Sequence, residues 1–254
     1  MSNSFITNKD KFLSDIINGI LPKTNAVDFL VGYFYYSGYK ELSEQLKNKH
    51  IRILIGLDIE IHITKHICEV ENFRQQLQSR GVLKEEYYAQ FIKAFNDTDF
   101  LDTEEKIELF KMFYSKILDG SLEIRKTLEP CHSKMYLFAY SDIINEGGEN
   151  PGVLITGSSN LSYQGLKGRL ELNARFNDKI EYDEGKVIFE ELWKDAIVIA
   201  DKDNIDEWNN KVMKHIWFDT LYSPYLMFIR VLIEYFAIPS KENLLTPYDI
   251  TDGR

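Results

Sequence analysis

Cysteine is nearly missing from this 254-residue chain. Cys68 and Cys131 are the only two, too few for a disulfide framework, so a reducing cytosol is the default compartment and a cytoplasmic location is expected. No apolar run reaches the roughly 20 residues that a membrane-spanning helix needs. The opening Met1-Ser2-Asn3-Ser4 lacks the charged-then-apolar pattern of a secretion signal. Together these absences argue against a membrane-embedded lipase. Positive charge is also in deficit: 30 Lys and Arg face 40 Asp and Glu, a formal net charge of -10. That balance argues weakly against a nucleic-acid binder, although a basic cleft can sit on an acidic body. No nucleotide-binding loop, internal repeat or low-complexity tract occurs.

Apolar material is plentiful. The chain is 44% hydrophobic with 16 Phe and 15 Tyr, enough for one large α/β domain with a small helical appendage. Apolar spacing predicts a helix over 9–21, with Phe12, Ile16, Ile17 and Ile20 on one face. A β-rich run over 26–33, a helix over 38–47 and an apolar strand over 51–57 follow. This order predicts parallel neighbours joined by a right-handed crossover. Residues 61–119 read as largely helical. Strands are expected over 122–128, 134–140, 153–156 and 170–176, and a helix over 184–197. The polar break Asp201-Lys202-Asp203-Asn204 suggests a domain over 1–200 and a helical extension and linker over 201–254. Ser223-Pro224 opens a helix in that extension and Pro239 closes it. The tail from Leu245 reads as a linker toward a further, downstream domain.

Chemistry concentrates in two segments. Cys131-His132-Ser133-Lys134 runs into Met135-Tyr136-Leu137-Phe138, and His132 and Lys134, two apart on extended chain, leave the same face. The strand ending at Thr156 turns through Gly157-Ser158-Ser159-Asn160, which offers hydroxyls, an amide and backbone N–H groups. A nucleophile, a fixed positive charge and neutral donors are what phosphoryl transfer requires when no metal supplies the charge. Either segment alone reads equally well as a strand edge or an ordinary turn.

In this order, His132-x-Lys134 and Gly157-Ser158-x-Asn160 resemble the signature of the phospholipase D superfamily. The continuation Asn160-Leu161-Ser162-x-x-Gly165-Leu166 and Leu170-Glu171-Leu172-Asn173 resembles a narrower branch, as do Val31-Gly32-Tyr33-Phe34 and Ile51–Gly56. That branch holds metal-independent restriction endonucleases and the domains that precede bacterial helicases. The superfamily's usual Asp, five positions after the Lys, is Ala139 here; the branch is similar in using a later Glu, which matches Glu171. The resemblance implies an α/β fold, a phospholipase D-like mixed sheet flanked by helices, with a C-terminal helical extension. It implies His132 as the nucleophile that forms a phosphohistidine, Lys134 and Asn160 as partners of the phosphoryl oxygens, and Ser158 as a further donor. Glu171 would orient the imidazole of His132 or of its dimer mate. One motif copy per chain implies a homodimer that shares one pocket. The expected activity is hydrolysis of a phosphodiester in DNA with no cofactor or metal, and the expected partner is a downstream helicase domain. The alternatives are a non-catalytic DNA-binding or dimerisation module and a phospholipid hydrolase.

Other features carry two readings each. Lys167, Arg169 and Arg175 after the turn, with Arg125 and Lys126 before the histidine, either track a nucleic-acid backbone or are solvated charge. His62 and His66 with Cys68 have zinc-like spacing but no further ligands, and read as a helix face. Cys131 is either a thiol nucleophile or a buried structural residue, the latter fitting its strand position opposite His132. The aromatic run Tyr33-Phe34-Tyr35-Tyr36 is either core or a base-stacking rim.

Overall fold

The computed structural model describes residues 4–59, 80–95 and 103–216, together with helical positions Tyr225, Phe228 and Leu232. The expected zinc-like trio His62, His66 and Cys68 lies outside the described residues, as does most of the expected C-terminal helix and the tail. The chain divides into two compact units, Met1–Lys214 and His215–Arg254.

Among the described residues eight strands form one sheet: β1 (Phe5–Ile6), β2 (Thr24–Phe34), β3 (His50–Ile59), β4 (Leu122–Lys126), β5 (Met135–Tyr140), β6 (Gly152–Gly157), β7 (Asn173–Phe176) and β8 (Ile197–Ala200). Their order is β1-β7-β6-β5-β2-β3-β4-β8. The pairs β2–β3 and β3–β4 are parallel, as the strand–helix–strand order predicts; the remaining pairs are antiparallel. The central strands are apolar on both faces because helices cover both. Helices α1 (Leu13–Ile20), α2 (Tyr36–Leu46), α3 (Arg80–Phe95), α4 (Glu104–Asp119), α5 (Lys179–Asp195) and α6 (Ile205–Lys211) supply the cover.

Strand alternation sorts the core. Leu30, Leu54, Met135, Leu137 and Leu154 face Tyr182, Phe189 and Trp193 of α5. On the opposite face Phe29 meets Tyr136 and Phe138 edge-on, with centroids 5.5 and 6.1 Å apart. Phe34 packs against Phe91 of α3 and Phe113 of α4. Helix α4 has the expected punctuation: Thr103 caps its first turn by accepting from Lys106 N, and Gly120 at φ 79° ends it in the left-handed region. Segment 201–214 belongs to the first unit, because Trp208 of α6 is buried against Phe91 and Tyr88.

Several expected boundaries move. The strand expected from Leu170 begins at Asn173, leaving Glu171 on a loop whose backbone N–H is taken by Thr7 O. The helix expected over 184–197 spans 179–195, and the β-branched run Ile197–Ala200 after it is the edge strand β8. Strand β5 starts at Met135, so His132 and Lys134 precede it.

Candidate active site

The site forms where the sheet opens. The β2–β5 pairing ends at Leu30 opposite Met135. Beyond that point β2 runs on through Gly32 and Tyr33 while the chain before Met135 diverges. The turn after β6 closes the gap. Tyr33 N–H donates to Asn160 Oδ1 at 3.1 Å, Tyr35 N–H donates to Leu161 O at 3.2 Å, and Phe34 makes an isolated parallel bridge with Leu161. On the other edge of β2 the pairing with β3 shifts register between Val31 and Tyr33, a local irregularity centred on Gly32. Such irregularities re-aim side chains at the ends of sheets.

Two glycines permit the approach. A Cβ on Gly32 would stand 3.3 Å from Asn160 Oδ1, 3.4 Å from His132 Cδ2 and 3.5 Å from Lys134 Nζ. The three side chains therefore converge on one floor. A Cβ on Gly56 would lie 1.7 Å from the carbonyl oxygen of Cys131. The backbone just before His132 thus rests directly on β3, held there by Cys131 N–H donating to Gly56 O at 3.1 Å.

Lys134 is 4% exposed. Its Nζ donates to His132 O at 2.6 Å and lies 2.9 and 3.0 Å from the two ring nitrogens of His132. Among the described residues no carboxylate pairs with it. Burial pushes the Lys134 ammonium below its usual 10.5, against upward pulls from Glu171 and Cys131. The His132 imidazole is pushed below 6.5, first by desolvation and then by the neighbouring Lys134 charge. A neutral imidazole beside a cation is suited to attack an electrophilic phosphorus while the cation offsets the negative charge that develops on the phosphoryl oxygens.

The turn is braced from below. Lys134 O accepts from Thr156 Oγ1 at 2.8 Å and from Gly157 N at 3.3 Å. The fully buried Tyr136 hydroxyl donates to Ser159 O at 2.7 Å. Asn173, with no exposed surface, donates to Ser159 Oγ at 2.9 Å and accepts from Ser159 N at 3.3 Å. These five bonds fix Asn160 at the mouth. The brace residues carried a readable signal: a lone amide at a strand start between Leu172 and Ala174 is costly unless it is bonded.

Ser158 and Glu171 sit at the rim. Ser158 Oγ donates to Glu171 Oε2 and accepts from Leu172 N at 3.0 Å. Glu171 is thereby held by Ser158, and no bond joins it to His132 of the same chain. The structure brings His132, Lys134 and Asn160 together and places Ser158 and Glu171 beside them.

The cations expected to track a backbone are dispersed. Lys167 pairs with Glu41 at 2.6 Å. Arg175 lines a separate cleft with Asp15, Lys23 and Tyr140. That cleft lies near the start of β2, eight residues or roughly 25 Å from Gly32 along the strand. Arg169 is exposed on the loop before Glu171. Arg125 lies over the Trp193 ring at 4.4 Å, and Lys126 is buried and donates to Gly56 O. Cys131 is a free, half-buried thiol packed against the α5 cluster, which fits its structural reading. No described helix is long and apolar enough to cross a membrane.

A family profile described as "Cardiolipin synthase, PLD-like domain" matches residues 27–193. The chain belongs to the phospholipase D-like family. The matched span covers β2 through α5, and so includes every strand end that builds the site of this phospholipase D-like domain. No curated protein matches the chain. Similar solved structures include Nuc, a phospholipase D family member from Salmonella typhimurium, at 11% identity and TM-score 0.41, covering 76% of this chain and 95% of that one. NucT from Helicobacter pylori is 12% identical at TM-score 0.41, covering 78% and 98%. Phosphatidylserine synthase from Haemophilus influenzae is 13% identical at TM-score 0.45, covering 91% and 46%.

Proposed function

We propose that this domain hydrolyses phosphodiesters in nucleic acid, DNA in the first instance, through a phosphohistidine on His132. One observation carries the reading: a buried lysine with no carboxylate partner among the described residues converges with a neutral-leaning histidine and an amide over a glycine floor. A phosphate is the anion that would complete this set, with Lys134 Nζ and Asn160 Nδ2 on its non-bridging oxygens. The leaving oxygen needs a second acid. We assign that role to His132 of a second copy across a two-fold axis. Apolar exposure at the rim supports a covering copy: Leu170 is 76%, Leu172 58% and Phe5 70% exposed around Glu171. Phe5 pairs with Ala174, so it shares a sheet face with Leu172. In that dimer Glu171 would pass from Ser158 to a histidine. Arg169, alone of the three cations following the turn, is left to meet backbone phosphate. A downstream helicase and a restriction or repair setting rest on the family resemblance of the motifs.

The test is cleavage of labelled DNA in excess chelator, with sedimentation run in parallel. Cutting that survives chelation, disappears in His132→Ala and tracks the dimer supports the proposal. A monomer that still cuts refutes the shared pocket. The parking of Glu171 on Ser158 favours a second reading, a non-catalytic DNA-binding or dimerising module; binding without cleavage by a clean dimer would establish it. The profile's description names a lipid enzyme, so phospholipid vesicles belong in the same assay, and headgroup release without DNA cleavage would redirect the substrate to lipid.

A further inference from the structure

We infer that Tyr33 and Tyr35 form a stacking ledge that holds an unpaired base next to the scissile phosphate, so that the substrate is single-stranded nucleic acid; this deepens the phosphodiesterase reading and rests on it. The Tyr33 ring lies 6.3 Å from the His132 ring at 82°. The Tyr35 ring lies 6.3 Å from Tyr33 at 50°. Both tyrosines are half-buried, whereas Phe34 between them and Tyr36 after them are in the core. The aromatic run therefore splits, with two rings packing the fold, one beside the histidine and one next to that ring. The ledge is rigid where it matters. Tyr33 N–H is bonded to Asn160 Oδ1 and Tyr35 N–H to Leu161 O, so the rings ride on the same backbone that fixes the phosphate-binding amide. A phosphate seated between His132 and Lys134 would bring its flanking nucleoside against the Tyr33 ring.

A base within a duplex is already stacked on both faces and cannot use such a ring; an unpaired one can. Stacking on a tyrosine also tolerates any base, because every base has a π-face. Stacking would add binding that Lys167, paired with Glu41, and Arg175, which lines a separate cleft, do not supply.

The experiment compares a single-stranded oligonucleotide with the same strand carrying abasic residues, cut by wild type, Tyr33→Leu and Tyr33→Phe. Wild type is expected to prefer the intact strand about tenfold in kcat/KM, the equivalent of one stacked base. Tyr33→Leu should bring that ratio close to one, and Tyr33→Phe, which keeps the ring, should restore it. A ratio untouched by Tyr33→Leu, or a wild type that cuts duplex as fast as single strand, overturns the ledge while leaving the phosphodiesterase reading in place. Fluorescence of 2-aminopurine in the strand, read with His132→Ala protein, separates the two ideas. Quenching that depends on Tyr33 supports the ledge even if no strand is cut, and absence of quenching by a protein that binds the strand removes it.

Discussion

Two polar clusters on the same strand have opposite character. Four residues along β2, Asp28 gives way to Gly32, and paired charge gives way to a cation with no carboxylate partner among the described residues. Asp28 accepts from Arg52 at 2.6 and 2.9 Å and from Lys186 at 2.6 Å, while Arg52 also donates to Glu190 at 2.6 Å. Arg52 lies over Phe189 and Trp193 at 4.9 and 5.0 Å. Bonding to Arg52 holds the Glu190 carboxyl down at about 2. At Gly32 both basic groups, His132 and Lys134, are instead pushed below their usual values and face each other. Where every charge has its counter-charge, the cluster fastens α5 to the sheet. Where Lys134 has no carboxylate partner among the described residues, the proposed function would have a phosphate supply the missing charge.

The contrast is sharpest in two substitutions. Lys134→Met should lower phosphodiester cleavage by about 10³-fold, the scale of losing one preorganised charge in a site. Because the buried ammonium is disfavoured in the folded state, the same change should hold or raise the melting temperature. A loss of activity explained by unfolding, seen by calorimetry, would break the comparison. Arg52→Met should do the reverse. It leaves Asp28 buried beside a single cation and should cost about 3–5 kcal/mol in denaturant unfolding, with kcat of the folded fraction retained. Next in size, Gly32→Ala introduces a Cβ 3.3 Å from Asn160 Oδ1, a tight contact that a small shift of that side chain relieves, so the fold should survive. The methyl occupies the floor where a phosphoryl oxygen would sit, and kcat/KM should fall about 10- to 100-fold. The smallest effect is on the shape of the pH profile. The lowered His132 pKa keeps the imidazole neutral into acid, so the acid limb of kcat/KM should lie below pH 6.5. The second copy's His132 must be protonated to serve as the acid, so its loss of a proton sets the alkaline limb, and the profile should be a bell centred on the acid side of neutrality. Activity that stays level into alkali would mean that no second histidine supplies the proton. The paired cluster behaves differently: the stability contributed by Glu190 is present above about 4.5 and is lost only as pH falls toward about 2.

Much of the paired architecture was legible in the chain, and less of the open site. The runs 26–33 and 51–57 read as parallel strands because their apolar patterns are long and a helix of the right length separates them. His132 and Lys134 were legible as a pair from their spacing, and Asn160 from its turn. Their meeting over Gly32 was not, since it depends on where β5 stops pairing with β2, more than a hundred residues away. Glu171 was expected on a strand because Leu170 and Leu172 alternate around it; both are exposed, and the alternation marks a surface rim. Strand β8 was not expected: with no glycine or proline between Asp195 and Ile197 the pattern reads as helix on to Ile197, and the short run after it belongs to no expected element. Lys167 looked like a free cation because Glu41, its partner, lies far off in sequence.

Gly56 sets a tolerance for the whole molecule. The chain carrying the histidine lies on its α-carbon with no clearance for even a methyl group, so the depth of the imidazole is gauged by a residue that has no reactive chemistry of its own. Variation at this position would act like shimming a lens out of focus.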